Sequence, residues 1–420
     1  MRVGWLTIAR LCLVNMAIGG LAALPVNLFN RLMTVELALP ALLPGLLVAL
    51  HYGVQLTRPA WGHRSDAKGG RTPFILGGIV VVALSIVAAA WAIHVAASNQ
   101  ALALLIWVLA YAALGLGIGA AGTSFLALLA TVTSGRGKGA AATVAWLFLI
   151  AGAIIASIGT GIALEPYSAP RLIGVVAGVG LIAVVLCFIA TWGVERRLGS
   201  APAPEHEQLW PAIRATWADR AARRFTGFVF LSILAFYLSE LIFEPFAGHV
   251  HGLSPEDSTK LSGGKDGAAL LGMLLAGGLS AFKIGSLRAW AVAGCLISAL
   301  GLVALGAQLP LVPSSVALGL GNGLFVVGAV GSMMVLSSER EGAAGVRMGV
   351  FGAAQAVAAG AAGLIATGIL DLVRLILPDA AAYATVFSLE AALFVLAALV
   401  AARIMAKPGD RSQNAMVPGE

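Results

Sequence analysis

Charge is what this sequence has least of. Asp, Glu, Lys and Arg make up 11% of its 420 residues, while 60% are hydrophobic. Soluble domains carry about 25% charged residues and about 45–50% apolar ones, and more than half of their surface is already apolar. A water-soluble chain of this composition has nowhere to hide the surplus. Soluble enzymes, nucleic-acid binders and disordered scaffolds are excluded together. Cysteine is scarce as well. Cys12, Cys187 and Cys295 lie far apart, each in an apolar run, and offer neither a disulfide framework nor metal-ligand spacing. No Walker loop, HExxH, CxxC or Ser/His/Asp set is present, so the sequence reads as a non-enzyme with no catalytic residues and no metal bound by protein alone.

What the chain has is long apolar runs and 52 glycines. Crossing the hydrocarbon core takes about 20 apolar residues, and small residues let membrane helices approach closely. Breaks at charge, Gly/Pro and polar clusters predict twelve spans. The first six cover 6–24, 40–60, 74–96, 101–130, 142–164 and 172–193. The second six cover 225–247, 265–283, 289–309, 314–337, 348–370 and 381–404. The eighth is the thinnest, opening on Lys265 and Asp266.

Lys and Arg set the orientation, because they collect on the cytoplasmic side. With the N-terminus inside, 21 of the 26 basic residues fall in cytoplasmic segments, and only Arg31, Arg171, Lys260, Lys265 and Arg374 fall outside. Both termini are therefore expected in the cytoplasm. Residues 1–24 read as a span rather than a cleaved leader, since removing them inverts the charge bias.

Four segments follow: a six-helix half (1–193), a linker (194–224), a second six-helix half (225–404) and a cytoplasmic tail (405–420). The linker carries Ala-Pro-Ala-Pro at 201–204. Leu209, Trp210, Ile213 and Trp217 then recur at helical spacing among arginines, as in an interfacial helix; a plain charged loop fits too. The halves echo each other. Gly122-Thr-Ser-Phe125 and Gly331-Ser-Met-Met334 each precede a charged loop and an Ala/Gly-rich span. The expected fold is an all-α membrane protein of twelve transmembrane helices in two halves, the major facilitator layout, with its cavity near the midplane. Gly62-His63-Arg64-Ser65-Asp66, followed by Gly69-Gly70-Arg71, resembles the signature loop of that superfamily.

Longer motifs narrow the resemblance. They are Asn30 to Pro40, His51-Tyr52, Gln55-Leu-Thr-Arg-Pro59, Trp61 to Asp66 and Arg71-Thr-Pro73. In the second half come Arg223 to Thr226, Phe228 to Ser232, Glu240 to Gly248, Leu261 to Gly263 and Leu271 to Met273. Together these resemble the PucC-type, bacteriochlorophyll-delivery branch of the major facilitators, over residues 20–275. This length is similar to that of the shorter members, labelled accessory to bacteriochlorophyll synthase. The resemblance implies handling of bacteriochlorophyll or chlorophyll as cargo rather than as a fixed cofactor. The implied partners are membrane lipids, light-harvesting subunits or the bacteriochlorophyll synthase, and no nucleic acid. Lys265-Asp266 and Val132 depart from that pattern, the first by being charged and the second by not being acidic.

The candidate pigment- or ion-binding residues are His51, Glu240, Glu244, Asn15, Asn322 and Glu390. A neutral imidazole at His51 could ligate pigment magnesium; a hydrogen-bonded helix contact is the plainer alternative. Glu240 and Glu244, four residues apart, are expected on one helix face, where carboxylates are costly and functional. They could take a proton, a cation or pigment magnesium. The plainer reading is a structural helix end at Pro245, with Glu244 paired to Arg31 or Lys265. Polar groups deep in the spans are otherwise few, Gln355 among them, so the interior is expected to be apolar enough for an oily cargo. The alternative function is proton-coupled transport of an amphipathic small molecule. The small-residue pairs Gly115/Gly119, Gly263/Gly267, Gly319/Gly323 and Gly345/Gly349 are expected to pack internally; an exposed one could seat another helix.

Overall fold

The computed structural model describes residues 4–58, 61, 64–65, 70–133, 137–195, 217–282, 284–338 and 344–404. Among these the secondary structure is helical throughout. In chain order the helices are α1 (Trp5–Leu24), α2 (Leu42–Val54), α3 (Thr72–Ala96), α4 (Gln100–Val132), α5 (Gly137–Ala163) and α6 (Ala169–Thr191). After the linker come α7 (Arg220–Leu238), α8 (Phe243–His249), α9 (Pro255–Ala281), α10 (Leu287–Gly306), α11 (Leu311–Ser338), α12 (Ala344–Arg374) and α13 (Asp379–Ile404).

Helix starts follow from the sequence. Asn99, Ser168 and Ser286 precede α4, α6 and α10, and each side chain accepts from a backbone N–H three residues on. Two helices are capped from far along the chain. The Glu195 carboxylate accepts from the N–H groups of Arg71 (2.6 Å) and Thr72 (3.0 Å) at the head of α3. Asp371 accepts from those of Ala41 (2.9 Å) and Leu42 (2.7 Å) at the head of α2. An anion there satisfies orphan donors and the positive end of the helix dipole together.

Among the described residues ten helices are long and apolar enough to cross a membrane, which makes this a multi-pass membrane protein. Two expected spans stand apart from those ten. The second is the shorter apolar helix Leu42–Thr57, and the eighth lies in α9, whose first half carries Glu256, Asp257, Lys260, Lys265 and Asp266. Large apolar side chains such as Leu84, Ile155, Leu181, Ile182 and Leu300 are more than half exposed, as a lipid-facing surface requires. The three cysteines are free and buried.

By contact the chain parts into two compact units. One takes residues 1–205, 237–267 and 356–386; the other takes 206–236, 268–355 and 387–420. In the first unit α1 and α5 cross so closely that a Cβ at Gly19 would run into the Leu149 carbonyl, and one at Gly152 into that of Met16. Asn15 ties the same pair, its Nδ2 donating to the Ala145 carbonyl at 2.7 Å. In the second unit α10 packs on α11, and Ser298 Oγ donates to Asn322 Oδ1 at 2.8 Å. Asn15 and Asn322 thus act as clamps between neighbouring helices. Of the small-residue pairs, Gly115, Gly263 and Gly323 would strike neighbouring helices if enlarged, whereas Gly267 has nothing within 4 Å.

Candidate functional site

The first unit holds an irregular junction. α1 does not stop at Leu24. It widens into two π-helical turns, Pro25–Phe29 and Leu32–Glu36. Wide turns of this kind free backbone groups and are common at functional sites. Here the Tyr111 hydroxyl donates to the Pro25 carbonyl at 3.1 Å. The widened segment buries Asn27, Asn30, Arg31 and Thr34.

Facing it is a second irregularity. α7 ends at Leu238, residues 239–242 turn, and α8 begins at Phe243. The cause is Pro245, third in α8. Its missing N–H and its ring clash with the carbonyl four residues back forbid a helix running through. Glu240 therefore sits in the turn and Glu244 in the next helix, so the two do not share one continuous helix face as expected.

Hydrogen bonds join the two irregularities. Asn30 Nδ2 donates to the Leu241 carbonyl inside the turn. Arg31 donates through Nη1 to Glu36 Oε1 (2.6 Å) and through Nη2 to the Leu253 carbonyl. Freed carbonyls in an apolar interior cost free energy unless paired, and these two side chains supply the donors.

α9 brings the charges. Lys265 Nζ lies 2.8 Å from Glu240 Oε1 and 3.8 Å from Asp266 Oδ1, and 5.1 Å from the centre of the Phe243 ring. Its side chain is 3% exposed. Lys265 thus takes Glu240 rather than Glu244 as its partner. Glu244 is fully buried; Thr259 Oγ1 lies 3.3 Å from its Oε2, and Ser262 faces the same carboxyl. Near the edge of the junction Lys260 bridges Glu165 (2.9 Å) and Asp257 (3.3 Å). In the loop before α6, burial and the nearby Glu36 carboxylate push the Tyr167 hydroxyl up to about 12. Below Glu244, His249 Nδ1 pairs with the Tyr383 hydroxyl at 2.9 Å.

At this junction the interior is not short of charge. Arg31, Lys265 and Glu244 are all buried. They come from segments flanking the apolar windows, which the two irregular helices fold inward.

His51 lies elsewhere in this unit. Its Nε2 is 2.8 Å from Gln55 Nε2, and Arg58 donates to Gln55 Oε1. A guanidinium can only donate, so Gln55 Oε1 accepts, its Nε2 donates, and His51 Nε2 is the acceptor. The proton then sits on Nδ1. The Nε2 lone pair is occupied, and magnesium ligation there would have to displace Gln55. Tyr52 meets Tyr237 edge to face at 6.1 Å between ring centres.

Glu390 is buried in the second unit, as is Asn322. The structure thus brings Glu240 and Glu244 to one junction; Asn15 and His51 lie elsewhere in the first unit. Of the signature loop, Gly62, His63 and Asp66 lie outside the described residues. Arg64 stacks over the Trp61 ring at 5.3 Å, and Arg71 Nη1 donates to the Ala127 carbonyl (3.0 Å) and Thr131 Oγ1 (3.1 Å). Most of the proposed interfacial helix, 209–216, also lies outside them. Sequence reasoning missed Asn30, Thr259 and Ser262 as site residues and named Arg31 only as a partner for Glu244. The signal for Asn30 and Arg31 was polarity inside a long motif. Among the described residues no group of three or more His, Cys, Asp or Glu could hold a metal ion.

A family model described as "PUCC protein" matches residues 28–408. Among characterised sequences, the chain is 49% identical to the bacteriochlorophyll synthase 44.5 kDa chain of Rhodobacter capsulatus, over 100% of both chains. It is 27% identical to Protein PucC of Cereibacter sphaeroides, over 93% of this chain and 90% of that one. Among solved structures, the nucleoside transporter NupG superposes with a TM-score of 0.66 at 13% identity, covering 96% of this chain and 99% of that one. A bacterial homologue of the human lysosomal transporter Spinster, inward-facing and occupied, superposes with a TM-score of 0.69 at 13% identity, covering 95% of each. The fold is that of these transporters.

Proposed function

The chain belongs to the PUCC protein family, and from that premise we propose that it is a non-catalytic membrane factor handling bacteriochlorophyll. It delivers or holds pigment during bacteriochlorophyll synthesis and assembly of light-harvesting complexes. The observation that carries this reading is the 49% identity, end to end, with a chain named for bacteriochlorophyll synthase. Its partners on this reading are membrane lipids, the pigment, and either light-harvesting subunits or the synthase. Its place is the bacterial inner or photosynthetic membrane.

The architecture that goes with this role has twelve spans in two six-helix halves, both termini cytoplasmic. In that count Leu42–Thr57 and α9 are the second and eighth spans. The pigment-contacting candidates are His51, Glu240, Glu244, Asn15, Asn322 and Glu390. Because Gln55 occupies the Nε2 of His51, that residue suits hydrogen bonding better than magnesium ligation. Asn15 and Asn322 suit helix clamping.

A second reading is proton-coupled transport of an amphipathic small molecule. The buried carboxyls Glu244 and Glu390 favour it, as does the likeness to transporters. One pair of experiments separates the two. Deleting the gene in a phototrophic host is expected to lower the antenna absorption bands of whole cells, and protein purified in mild detergent is expected to carry a long-wavelength pigment band. Unchanged antenna bands, with colourless protein and proton-driven uptake in vesicles, would replace the first reading by the second.

A further inference from the structure

The hydrogen bonds around Glu244 do not depend on the choice of cargo. The Thr259 hydroxyl carries one proton. Its oxygen lies 2.8 Å from the Pro255 carbonyl, four residues back on α9, and 3.3 Å from Glu244 Oε2. The shorter contact is to an acceptor without protons, so the Thr259 proton belongs there. The longer contact then needs a proton from the other side, and a carboxylate has none to give. Glu244 Oε1 is buried and meets no hydrogen-bond partner among the described residues, and the buried Ser262 hydroxyl faces the same carboxyl.

One ammonium, Lys265, faces Glu240, Asp266 and Glu244 together. The other cation facing Glu244 is Arg31, from the widened end of α1, and its two Nη groups go to Glu36 and the Leu253 carbonyl. From α5 the buried neighbours of α9 include Ser157, which is neutral. Glu240 and Asp266 keep 15% and 22% of their side chains exposed, whereas Glu244 is fully buried, so of the three carboxyls on this ammonium it is Glu244 that loses most by being ionised.

We propose that Glu244 is a proton-binding site: in this closed junction its side chain is a neutral carboxylic acid donating from Oε2 to Thr259 Oγ1. Closing the junction takes up one proton from water, and opening it to solvent releases that proton from the carboxyl. No covalent bond other than O–H forms or breaks. The site needs no particular cargo, so it stands or falls separately from the pigment reading.

The test is infrared difference spectroscopy on the purified full-length protein across a pH titration. A buried carboxylic acid C=O band is expected at neutral pH, absent from Glu244→Gln and retained in Glu240→Gln. Gln is close in shape to the protonated acid, so this variant is expected to keep the wild-type unfolding midpoint at neutral pH. Thr259→Val supplies an independent arm, since it keeps the acid but removes its acceptor and must shift the band. The proposal is overturned by a missing acid band, by a band that persists in Glu244→Gln, or by one that does not move in Thr259→Val. It is overturned equally if sodium chloride, but not choline chloride, raises the unfolding midpoint in a manner lost in Glu244→Gln. The bound cation would then be sodium.

Discussion

Two regions of the molecule solve helix packing in opposite ways. In the second unit α10 and α11 are regular helices pressed together through small residues, with one neutral hydrogen bond between Ser298 and Asn322. In the first unit the widened end of α1 meets the turn at 239–242 and α8 through Asn30, Arg31, Lys265 and two carboxyls. A regular helix pair pairs its backbone groups internally and asks only for shape. An interrupted helix leaves backbone groups open, and side chains from elsewhere must satisfy them. The first arrangement is sensitive to volume, the second to polarity.

That contrast is open to direct attack, most forcefully at Lys265. Lys265→Met removes the ammonium beside Glu240 and Asp266 and is expected to cost about 3–5 kcal/mol, read as a lowered unfolding midpoint in detergent. Removing Glu240 too is expected to recover more than half of that loss. If the single variant matches wild type, the charges contribute nothing and the contrast collapses. Next in size are two substitutions of opposite kind. Asn30→Leu keeps the volume but orphans the Leu241 carbonyl, a loss of about 1–3 kcal/mol. Gly321→Val adds no polarity but drives a side chain into the Ser298 backbone, again about 1–3 kcal/mol. The same Asn→Leu exchange at Asn322 is the smallest, near 0.6 kcal/mol, because both α10 and α11 keep their own backbone bonds. Equal losses at Asn30 and Asn322 would show that the irregular helices are no more dependent on polar side chains than the regular pair.

The regular parts were readable in advance because each apolar window reports its own burial. α3, α4, α10, α11 and α13 begin and end within a few residues of their expected limits. The junction was not, for a physical reason. Windows assign charge to loops, so residues 25–39 and 239–266 read as span ends and connections, although Arg31 and Lys265 are drawn inside. Pro245 did announce the helix end. What it could not announce is that the chain would restart as α8, which moves Glu244 off the face of Glu240. Nor does spacing reveal that Gln55 occupies His51; that follows only once Arg58 fixes which end of the amide accepts.

The cap on α2 carries a consequence for biogenesis. Asp371 stands 330 residues beyond the Ala41 N–H it accepts from, and the bonds from Asn30 to Leu241 and from Arg31 to Leu253 span 211 and 222 residues. Chains are made from the N-terminus at about 5–20 residues per second, so the earliest helices enter the bilayer tens of seconds before their closing partners exist. A ribosome halted short of Asp371 releases a protein whose second helix starts on bare N–H groups, however complete its first six helices are.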